Sequence, residues 1–456
     1  MTSTPTGVDG ARALMRTLAE SGIDTLFTNP GTTELHLVEA AEATPGLRSV
    51  LALFEGTVSG AADGFGRIAG RPAATLLHLG PGQGNGWANF HNARRARTPI
   101  ISVIGDQATF HQRNDPPLMS DIAAVARALD SRVASPQAAG EVSAAARAAV
   151  ADACSAPGRI STVVMPADVS WSPTEVMASA LPARPPAAVA GQRIRAIAEL
   201  ARTGGNRVAM LLGGPACRAA GLQAASRIAA AAGIRVFTDT YTARLEHGAG
   251  LPEFPRLGFY PRQVLRQLDG VTHLITAGTR APVAFFAYLD QPVLLTPDGA
   301  ANLALADVHE DAVTALADLA DLIAPTLKPR VNAPSRPGMP AGPLTLDTWP
   351  QVLGALLPDH AIICDESISS GAGLLAASRI AAASGIRVFL DTYTTRLEHG
   401  AGLPEFPRLG FYPQQALPQL DGITHLITAG TRAPVAFFAY LDQPVLLTPD
   451  GAADLA

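Results

Sequence analysis

Glu55 is the first residue whose type and setting suit acid–base chemistry. It follows the apolar run 51–54 (LALF) and precedes a stretch of small residues over 56–64. A carboxylate at the buried end of a strand loses hydration, and this loss favours the protonated form unless a partner compensates. Such a group can hold or pass a proton near neutral pH, as acid–base catalysis requires. A solvent-exposed or helix-capping glutamate would show the same spacing, and spacing alone favours that plainer interpretation.

His78 and the glycine-rich run that follows it form the second candidate. The run 80–85 (GPGQGN) predicts a loop between a strand and a helix, where a flat or anionic ligand can approach the backbone closely. It is not a GxGxxG fingerprint, because Pro81 interrupts it and the third glycine is out of register, so a nicotinamide cofactor is unsupported. Taken alone, His78 fits a structural histidine better than a functional one.

A third candidate is the turn Asn29-Pro30-Gly31-Thr32, which comes directly after the apolar stretch 25–27. Asparagine, proline and glycine in this order are typical of an ordinary β-turn. By itself the turn therefore predicts no ligand.

Short apolar runs alternate with alanine-rich stretches around these candidates, which predicts an α/β fold with parallel sheets covered by helices. In the first region strands are predicted over 49–54, 73–77, 100–104 and 161–165, and helices over 11–20, 56–69, 86–97, 118–128 and 138–153. The proline-rich stretch 181–189 is a predicted linker.

The second region repeats the alternation. Strands are predicted over 208–212, 235–238, 273–276 and 293–295, and helices over 193–202, 219–232 and 308–323. A second linker is predicted over 325–343, followed by a helix over 348–357 and a strand over 360–364 that ends at Asp365-Glu366-Ser367.

From residue 373 onward the sequence nearly copies its own middle. Residues 373–456 align with residues 221–304 at a constant shift of 152 positions, and nine of the 84 aligned positions differ. Repeat proteins show several short, diverged units, whereas one long near-identical copy indicates a recent segmental duplication. The copy begins inside a predicted helix, so it does not correspond to a self-contained domain.

The composition narrows the possible classes of protein. The chain is 48% hydrophobic and 16% charged with a net charge of −5, which favours a folded protein and gives a nucleic-acid partner little electrostatic support. Its three cysteines are far apart, which argues against a disulfide framework or a zinc site. No export signal and no apolar run of about 18 residues are evident, so we expect a cytoplasmic protein without a membrane partner.

Taken together, three strings resemble the thiamine diphosphate-dependent 2-oxo acid enzymes. They are 26–40 (LFTNPGTTELHLVEA), 51–106, which includes LALFEGTVSGAADGFGR and LLHLGPGQGNGW, and 162–171 (TVVMPADVSW). The likeness is to acetolactate synthase large-subunit-like proteins and, more distantly, to benzoylformate decarboxylase. Strings in the second region, such as 211–222 (LLGGPACRAAGL), resemble the central Rossmann-like domain of that family.

The resemblance implies roles for individual residues. Glu55 matches the glutamate that hydrogen-bonds the cofactor's pyrimidine ring and so makes its exocyclic nitrogen a base. His78 matches a histidine that transfers protons in benzoylformate decarboxylase. Pro30, Gly31 and Thr32 match the turn that lines the site, and Asn85 lies in the loop beside the aminopyrimidine. The implied substrate is a 2-oxo acid such as pyruvate.

The resemblance also implies a domain order: a pyrimidine-binding domain over 1–180, a central domain over 190–325, a stub of the diphosphate-binding domain over 344–372, and the near-copy over 373–456. In the family a Gly-Asp-Gly turn and a downstream asparagine hold Mg²⁺, which neutralises the diphosphate. No such pair occurs after residue 360, and Pro449-Asp450-Gly451 belongs to the copy. We therefore expect no metal ligands in this chain, although the family cofactor is thiamine diphosphate with Mg²⁺.

Several functions stay open at this point. One is decarboxylation or carboligation of the acetolactate synthase type, impaired in this chain. A second is an inactive subunit, either a homo-oligomer or paired with a full-length homologue. A third is a lyase of the benzoylformate decarboxylase type, and a fourth is the product of a rearranged gene without a stable role. These residues specify neither a particular 2-oxo acid nor a flavin.

Overall fold

The alternating apolar and alanine-rich stretches form two parallel sheets covered by helices in a computed structural model, which confirms the predicted fold class. The structure describes residues 8–129, 132–174, 180–333 and 337–343, together with single positions and short stretches beyond them. The chain divides into two units, Met1–Pro334 and Ser335–Ala456. The predicted strand over 360–364, the residues Asp365-Glu366-Ser367 and most of the copy lie outside the described residues.

The first unit contains eight helices and eight strands before residue 175 among the described residues. The helices are α1 (Gly10–Glu20), α2 (Leu35–Glu42), α3 (Glu55–Ala69), α4 (Leu79–Ala96), α5 (Thr109–Gln112), α6 (Ile122–Arg127), α7 (Val142–Cys154) and α8 (Ala167–Trp171). The strands are β1 (Val8–Asp9), β2 (Thr25–Asn29), β3 (Arg48–Leu51), β4 (Ala73–Leu77), β5 (Ile100–Asp106), β6 (Arg132–Ala134), β7 (Ile160–Pro166) and β8 (Pro173–Thr174).

Six of these strands form one parallel sheet in the order β3-β2-β4-β5-β7-β6, and β1 pairs with β8 separately. Every residue of β4, β5 and β7 is buried, because helices cover both faces of the sheet centre. The chain runs from β2 outward to β3 and then returns to the other side of β2 with β4. In open α/β sheets such a reversal leaves a crevice at the carboxyl ends of the two strands, where ligands bind.

The glycine-rich run 80–85 was predicted to be a loop, and this prediction is wrong, because α4 already begins at Leu79. The helix tolerates Pro81 because the backbone N–H groups of a first turn have no intrahelical partner, so a missing donor costs nothing there. The Gly82 N–H donates to the His78 carbonyl at 2.8 Å, which closes the first turn. The chain enters the helix through Leu79, whose φ of 50° lies in the left-handed region that side chains rarely adopt.

The second sheet is also parallel and has the order β10-β9-β11-β12. Its strands are β9 (Val208–Leu212), β10 (Arg235–Thr238), β11 (His273–Ala277) and β12 (Ala301–Ala306), and the helices beside it are α9 (Gly191–Gly204), α10 (Ala219–Ala232), α11 (Pro261–Gln267) and α12 (Ala312–Ile323). Strand β9 lies between two neighbours and is completely buried.

The strand predicted over 293–295 is absent from this sheet. Leu294 forms only an isolated antiparallel bridge with Val283, and the fourth strand is β12 instead. The run 293–295 is short because Pro292 and Pro297 flank it, and proline cannot donate a hydrogen bond to a ladder.

In the second unit the described strands are β13 (His425–Ile427) and β14 (Ala453–Leu455), which pair in parallel. His425 lies opposite Ala453, and in the first copy His273 lies opposite Ala301. Each of these residues of the second copy lies 152 positions after its counterpart, so the copied strands keep the pairing register of the originals. Among the described residues, no helix is long and apolar enough to cross a membrane.

Cys217 provides a test of the packing around the second sheet, β10-β9-β11-β12. Its side chain is buried, and burial raises the pKa of the thiol to about 12, with Asp239 adding to the effect and Arg256 opposing it. We expect Cys217 to resist alkylation in the native protein at pH 8, while the exposed Cys154 is modified. Peptide mass mapping before and after denaturation measures both. Modification of native Cys217 at the rate of Cys154 would contradict the described packing.

Candidate active site

The crevice between β2 and β4 brings together residues from two turns. Pro30, Gly31 and Thr32 follow β2, and His78 follows β4 as the residue that precedes α4. A carbon atom added at Gly31 would lie 2.3 Å from His78 Nδ1, so this turn and the imidazole are in direct contact only because residue 31 is glycine. Thr32 is exposed at the start of a 3₁₀ turn.

Glu34, which the sequence analysis missed, is the centre of this group. Its side chain is 0% exposed, yet its carboxylate has three hydrogen-bond partners. The Gly31 N–H donates to Oε2 at 2.8 Å, the Thr33 hydroxyl donates to Oε1 at 2.6 Å, and His78 Nδ1 lies 2.8 Å from Oε2. A buried carboxylate without such partners would be strongly destabilising, so this network fixes the turn after β2 to His78.

Gly105, at the end of β5, makes room for Glu34. A carbon atom added at this glycine would lie 1.7 Å from Glu34 Oε1. The Glu34 side chain would therefore have to move if residue 105 had a side chain. A glycine followed by Asp106 was visible in the sequence, but only the fold shows that this strand end faces the carboxylate.

The contact with Glu34 also determines which nitrogen of His78 is available to a ligand. When the carboxylate is ionised, Nδ1 carries the proton and donates it, so Nε2 is the nitrogen that remains to accept or release another proton. Nε2 makes no hydrogen bond to any described residue, and the side chain is 24% exposed. His78 is therefore held at one nitrogen and accessible to a ligand at the other.

Glu55 is the first residue of α3 and not the end of a buried strand as predicted. Strand β3 ends at Leu51 and lies at the edge of the sheet, where Leu51 and Leu53 are exposed, the latter by 93%. The side chains of the apolar run 51–54 are therefore largely exposed to solvent, and Glu55, the next residue, is half-buried. The N-terminal end of a helix stabilises a carboxylate, because its free N–H groups carry partial positive charge.

Glu55 and His78 both lie beside Gly82. The Asn85 amide of α4 donates to Glu55 Oε2 at 3.0 Å. A carbon atom added at Gly82 would lie 3.4 Å from Glu55 Oε1 and 3.6 Å from His78 Cβ. The structure thus brings Glu55, His78 and Asn85 together around a glycine, whereas the sequence grouped them only through the family resemblance.

Within the described stretches, no cluster of three or more histidine, cysteine, aspartate or glutamate side chains is arranged to hold a metal ion. Asp106, at the end of β5, accepts hydrogen bonds from the Gln107 N–H and the Gln112 side-chain amide, and burial raises its pKa.

Comparison with known proteins identifies the family. Residues 8–125 match the family described as thiamine pyrophosphate enzyme, N-terminal TPP binding domain. A protein of Mycobacterium tuberculosis, provisionally named acetolactate synthase large subunit IlvX, is 48% identical over 364 residues, which span 80% of this chain and 70% of the relative. The chain belongs to the thiamine diphosphate-dependent enzymes.

Two further proteins are similar to a smaller and to a larger share of this thiamine diphosphate-dependent family member. Benzoylformate decarboxylase of Pseudomonas aeruginosa is 39% identical over 90 residues, which span 20% of this chain and 17% of the relative. The X-ray structure of a provisionally assigned thiamin diphosphate-dependent enzyme from Mycobacterium smegmatis superposes with a TM-score of 0.68 at 24% identity, over 81% of this chain and 74% of the other. The latter shows a shared fold.

We expect the Gly105→Ala variant to be destabilised by about 3 kcal/mol, because the added methyl group displaces the buried Glu34 carboxylate from its three partners. Urea unfolding followed by circular dichroism measures the change. Gly64→Ala is the control: this glycine lies exposed within α3 with open space around it, so alanine there should stabilise the protein by about 0.5–1 kcal/mol. Equal midpoints for the two variants would contradict the packing at Gly105.

Proposed function

We propose that the crevice between β2 and β4 holds the aminopyrimidine half of thiamine diphosphate. The observation that carries this proposal is the arrangement of Glu55, Asn85 and His78 around Gly82 in a chain of this family. In this proposal Pro30, Gly31 and Thr32, the turn after β2, lie beside the ligand through the contact of Gly31 with His78.

The residues fit such a ligand in two respects. Glu55 Oε2 accepts a hydrogen bond from Asn85, whereas Oε1 makes no hydrogen bond within the described residues and can accept one from the ring N–H of a protonated or imino pyrimidine. Gly82 places no side chain between Glu55 and His78, so a flat ring can approach the backbone closely there. At Gly31 the corresponding space is filled by the His78 imidazole.

When bound, thiamine diphosphate supplies an electron sink for the carbon atom that loses CO₂ from a 2-oxo acid. The residues of this chain have two tasks beside it. Glu55 fixes the protonation pattern of the ring through a charge-assisted hydrogen bond, which is stronger than a neutral one. His78, held through Nδ1 by Glu34, takes up or returns a proton at Nε2.

We further propose that the activity of the lineage is decarboxylation or carboligation of a 2-oxo acid such as pyruvate, and that it is impaired in this chain. After residue 372 the near-copy follows, where the family's Mg²⁺ and diphosphate ligands are expected, and the pattern Gly-Asp-Gly with a downstream asparagine does not occur there. A diphosphate without a hard cation loses contacts that are each worth about 1.5–3 kcal/mol.

A second candidate is a catalytically inactive subunit that pairs with a full-length homologue, which would supply the missing half of the site. The observation that favours it is that the group of residues around Gly82 and the copied segment occur in the same chain. A benzoylformate decarboxylase-like lyase is a third candidate, favoured by the fixed orientation of His78.

The Glu55→Gln variant tests the proposed cofactor contact. We expect thiamine to bind this variant about tenfold to a hundredfold more weakly, because a neutral amide replaces a charged acceptor in a partly buried hydrogen bond. Isothermal titration calorimetry measures the affinity. Glu20→Gln is the matched control, since Glu20 is exposed at the end of α1 and should have no effect. Unchanged affinity in Glu55→Gln would overturn the proposal.

Comparing thiamine with thiamine diphosphate tests the impairment. We expect the chain alone to bind both with similar affinity and without a requirement for Mg²⁺, because only the pyrimidine half of the ligand is held. Micromolar binding of thiamine diphosphate that depends on Mg²⁺ would show instead that the chain has a diphosphate site of its own.

Repair of the chain tests the lineage activity. A hybrid that carries the corresponding C-terminal part of the Mycobacterium tuberculosis relative in place of residues 373–456 should release CO₂ from a 2-oxo acid, with pyruvate tested first. Release should require thiamine diphosphate and Mg²⁺ and should be lost in the Glu55→Gln hybrid. A folded hybrid that releases no CO₂ from pyruvate, benzoylformate or other 2-oxo acids would contradict the proposal.

A further inference from the structure

Arg244 joins the second sheet region to the C-terminal end of α3. Its Nη1 donates to the carbonyl oxygen of Ile68 at 2.6 Å and to that of Arg67 at 3.3 Å. Its Nη2 donates to Glu246 Oε1 at 2.8 Å. The last carbonyl groups of a helix have no intrahelical partner, so this guanidinium satisfies two groups that the helix itself leaves unpaired.

Glu246 caps the N-terminal end of α10 in the same way. Its Oε2 accepts the Ala219 N–H at 2.7 Å, at the first residue of α10, whose N-cap residue Arg218 provides no side-chain hydrogen bond. The Glu246 N–H donates to the Cys217 carbonyl at 3.0 Å, which holds the backbone beside the helix end. One ion pair therefore caps two helices that belong to different sheets.

The charges of this pair match the two helix ends. The C-terminal end of a helix carries partial negative charge and the N-terminal end partial positive charge, so a guanidinium suits α3 and a carboxylate suits α10. Both side chains are about one-quarter to one-third exposed, so solvent screens this electrostatic contribution only in part. Reversing the pair would keep the attraction between the two charges but place each beside the wrong helix end.

The opposite end of α3 begins with Glu55. Here Asn89 of α4 donates to the Gly56 carbonyl at 2.7 Å, in addition to the contact of Asn85 with Glu55. A helix of 15 residues moves largely as a rigid rod of about 22 Å, so a contact at one end constrains the other. The Arg67–Ala243 contact at 3.5 Å adds a second connection at the C-terminal end.

We propose that Arg244 and Glu246 are positioning residues, which set the axial position of α3 and thereby the place of Glu55 in the crevice. This proposal rests on the proposed function of Glu55. The pair acts through the polarity of the two helix ends and not only through its own attraction.

The test compares three variants: Arg244→Ala, Arg244→Lys and the reversed pair Arg244→Glu/Glu246→Arg. We expect thiamine to bind Arg244→Ala about threefold to tenfold more weakly, because the variant loses the contacts at the end of α3 and the ion pair that holds Glu246. Arg244→Lys should restore most of the affinity because it keeps the charge at α3. The reversed pair should be at least as impaired as Arg244→Ala, although it retains an ion pair. Calorimetry well below the unfolding temperature gives the affinities.

Amide hydrogen exchange locates the effect. In Arg244→Ala, exchange should accelerate at residues 66–70 and 217–220 and also at 55–59, the end of α3 that carries Glu55. Faster exchange at 66–70 alone, with wild-type affinity for thiamine, would show a structural cap without a positioning role and would overturn the proposal. Restored affinity in the reversed pair would overturn the role of helix polarity.

The chain provides its own matched control, because the copy contains the same residues as Arg396 and Glu398. We expect Arg396→Ala to leave thiamine affinity unchanged; an effect there and none in Arg244→Ala would overturn the assignment to the first copy. The Glu55→Gln variant separates the two proposals. If it binds thiamine normally, the proposed function fails; if it binds weakly while Arg244→Ala binds normally, only the positioning role fails.

Discussion

A carboxylate that water cannot reach has to be neutralised or hydrogen-bonded, and the crevice of this protein is arranged around that requirement at Glu34. The backbone of the turn, a threonine hydroxyl and His78 together satisfy it. Since these partners come from the ends of both β2 and β4, the buried charge fixes the two strand ends at their point of reversal. The orientation of His78 is a by-product of satisfying Glu34, and its second nitrogen remains available to a ligand.

The sequence predicted the alternation of strands and helices because buried parallel strands are short apolar runs, and most of those runs are strands in the structure. It also predicted Glu55, His78 and Asn85 as members of one site, through resemblance and not through spacing. It could not predict that β3 is an edge strand, because an apolar run of residues contains no information about which strands will pair with it in the sheet. Glu34 was missed because its only signal is long-range: a glycine 71 positions later, Gly105, that leaves room for it.

The two ends of α3 are held by different kinds of contact. Helix α4 supplies the amide groups of Asn85 and Asn89 to the start of α3, over short distances within one sheet region. The far end of α3 depends on Arg244, which comes from the other sheet region and more than 170 positions later in the chain. Local contacts thus shape the crevice, while a long-range ion pair aligns it with the rest of the first unit.

The shared register of β11–β12 and β13–β14 has a consequence for folding. The chain contains one β9 and two nearly identical partners for it, so two topological isomers compete. Strand pairing favours neither of the two isomers, but two of the nine sequence differences between the copies favour one of them. In place of the buried Val264 the copy has Ala416, and in place of Arg266, inside α11, it has Pro418. Proline inside a helix costs about 3 kcal/mol, so the first copy should win this competition.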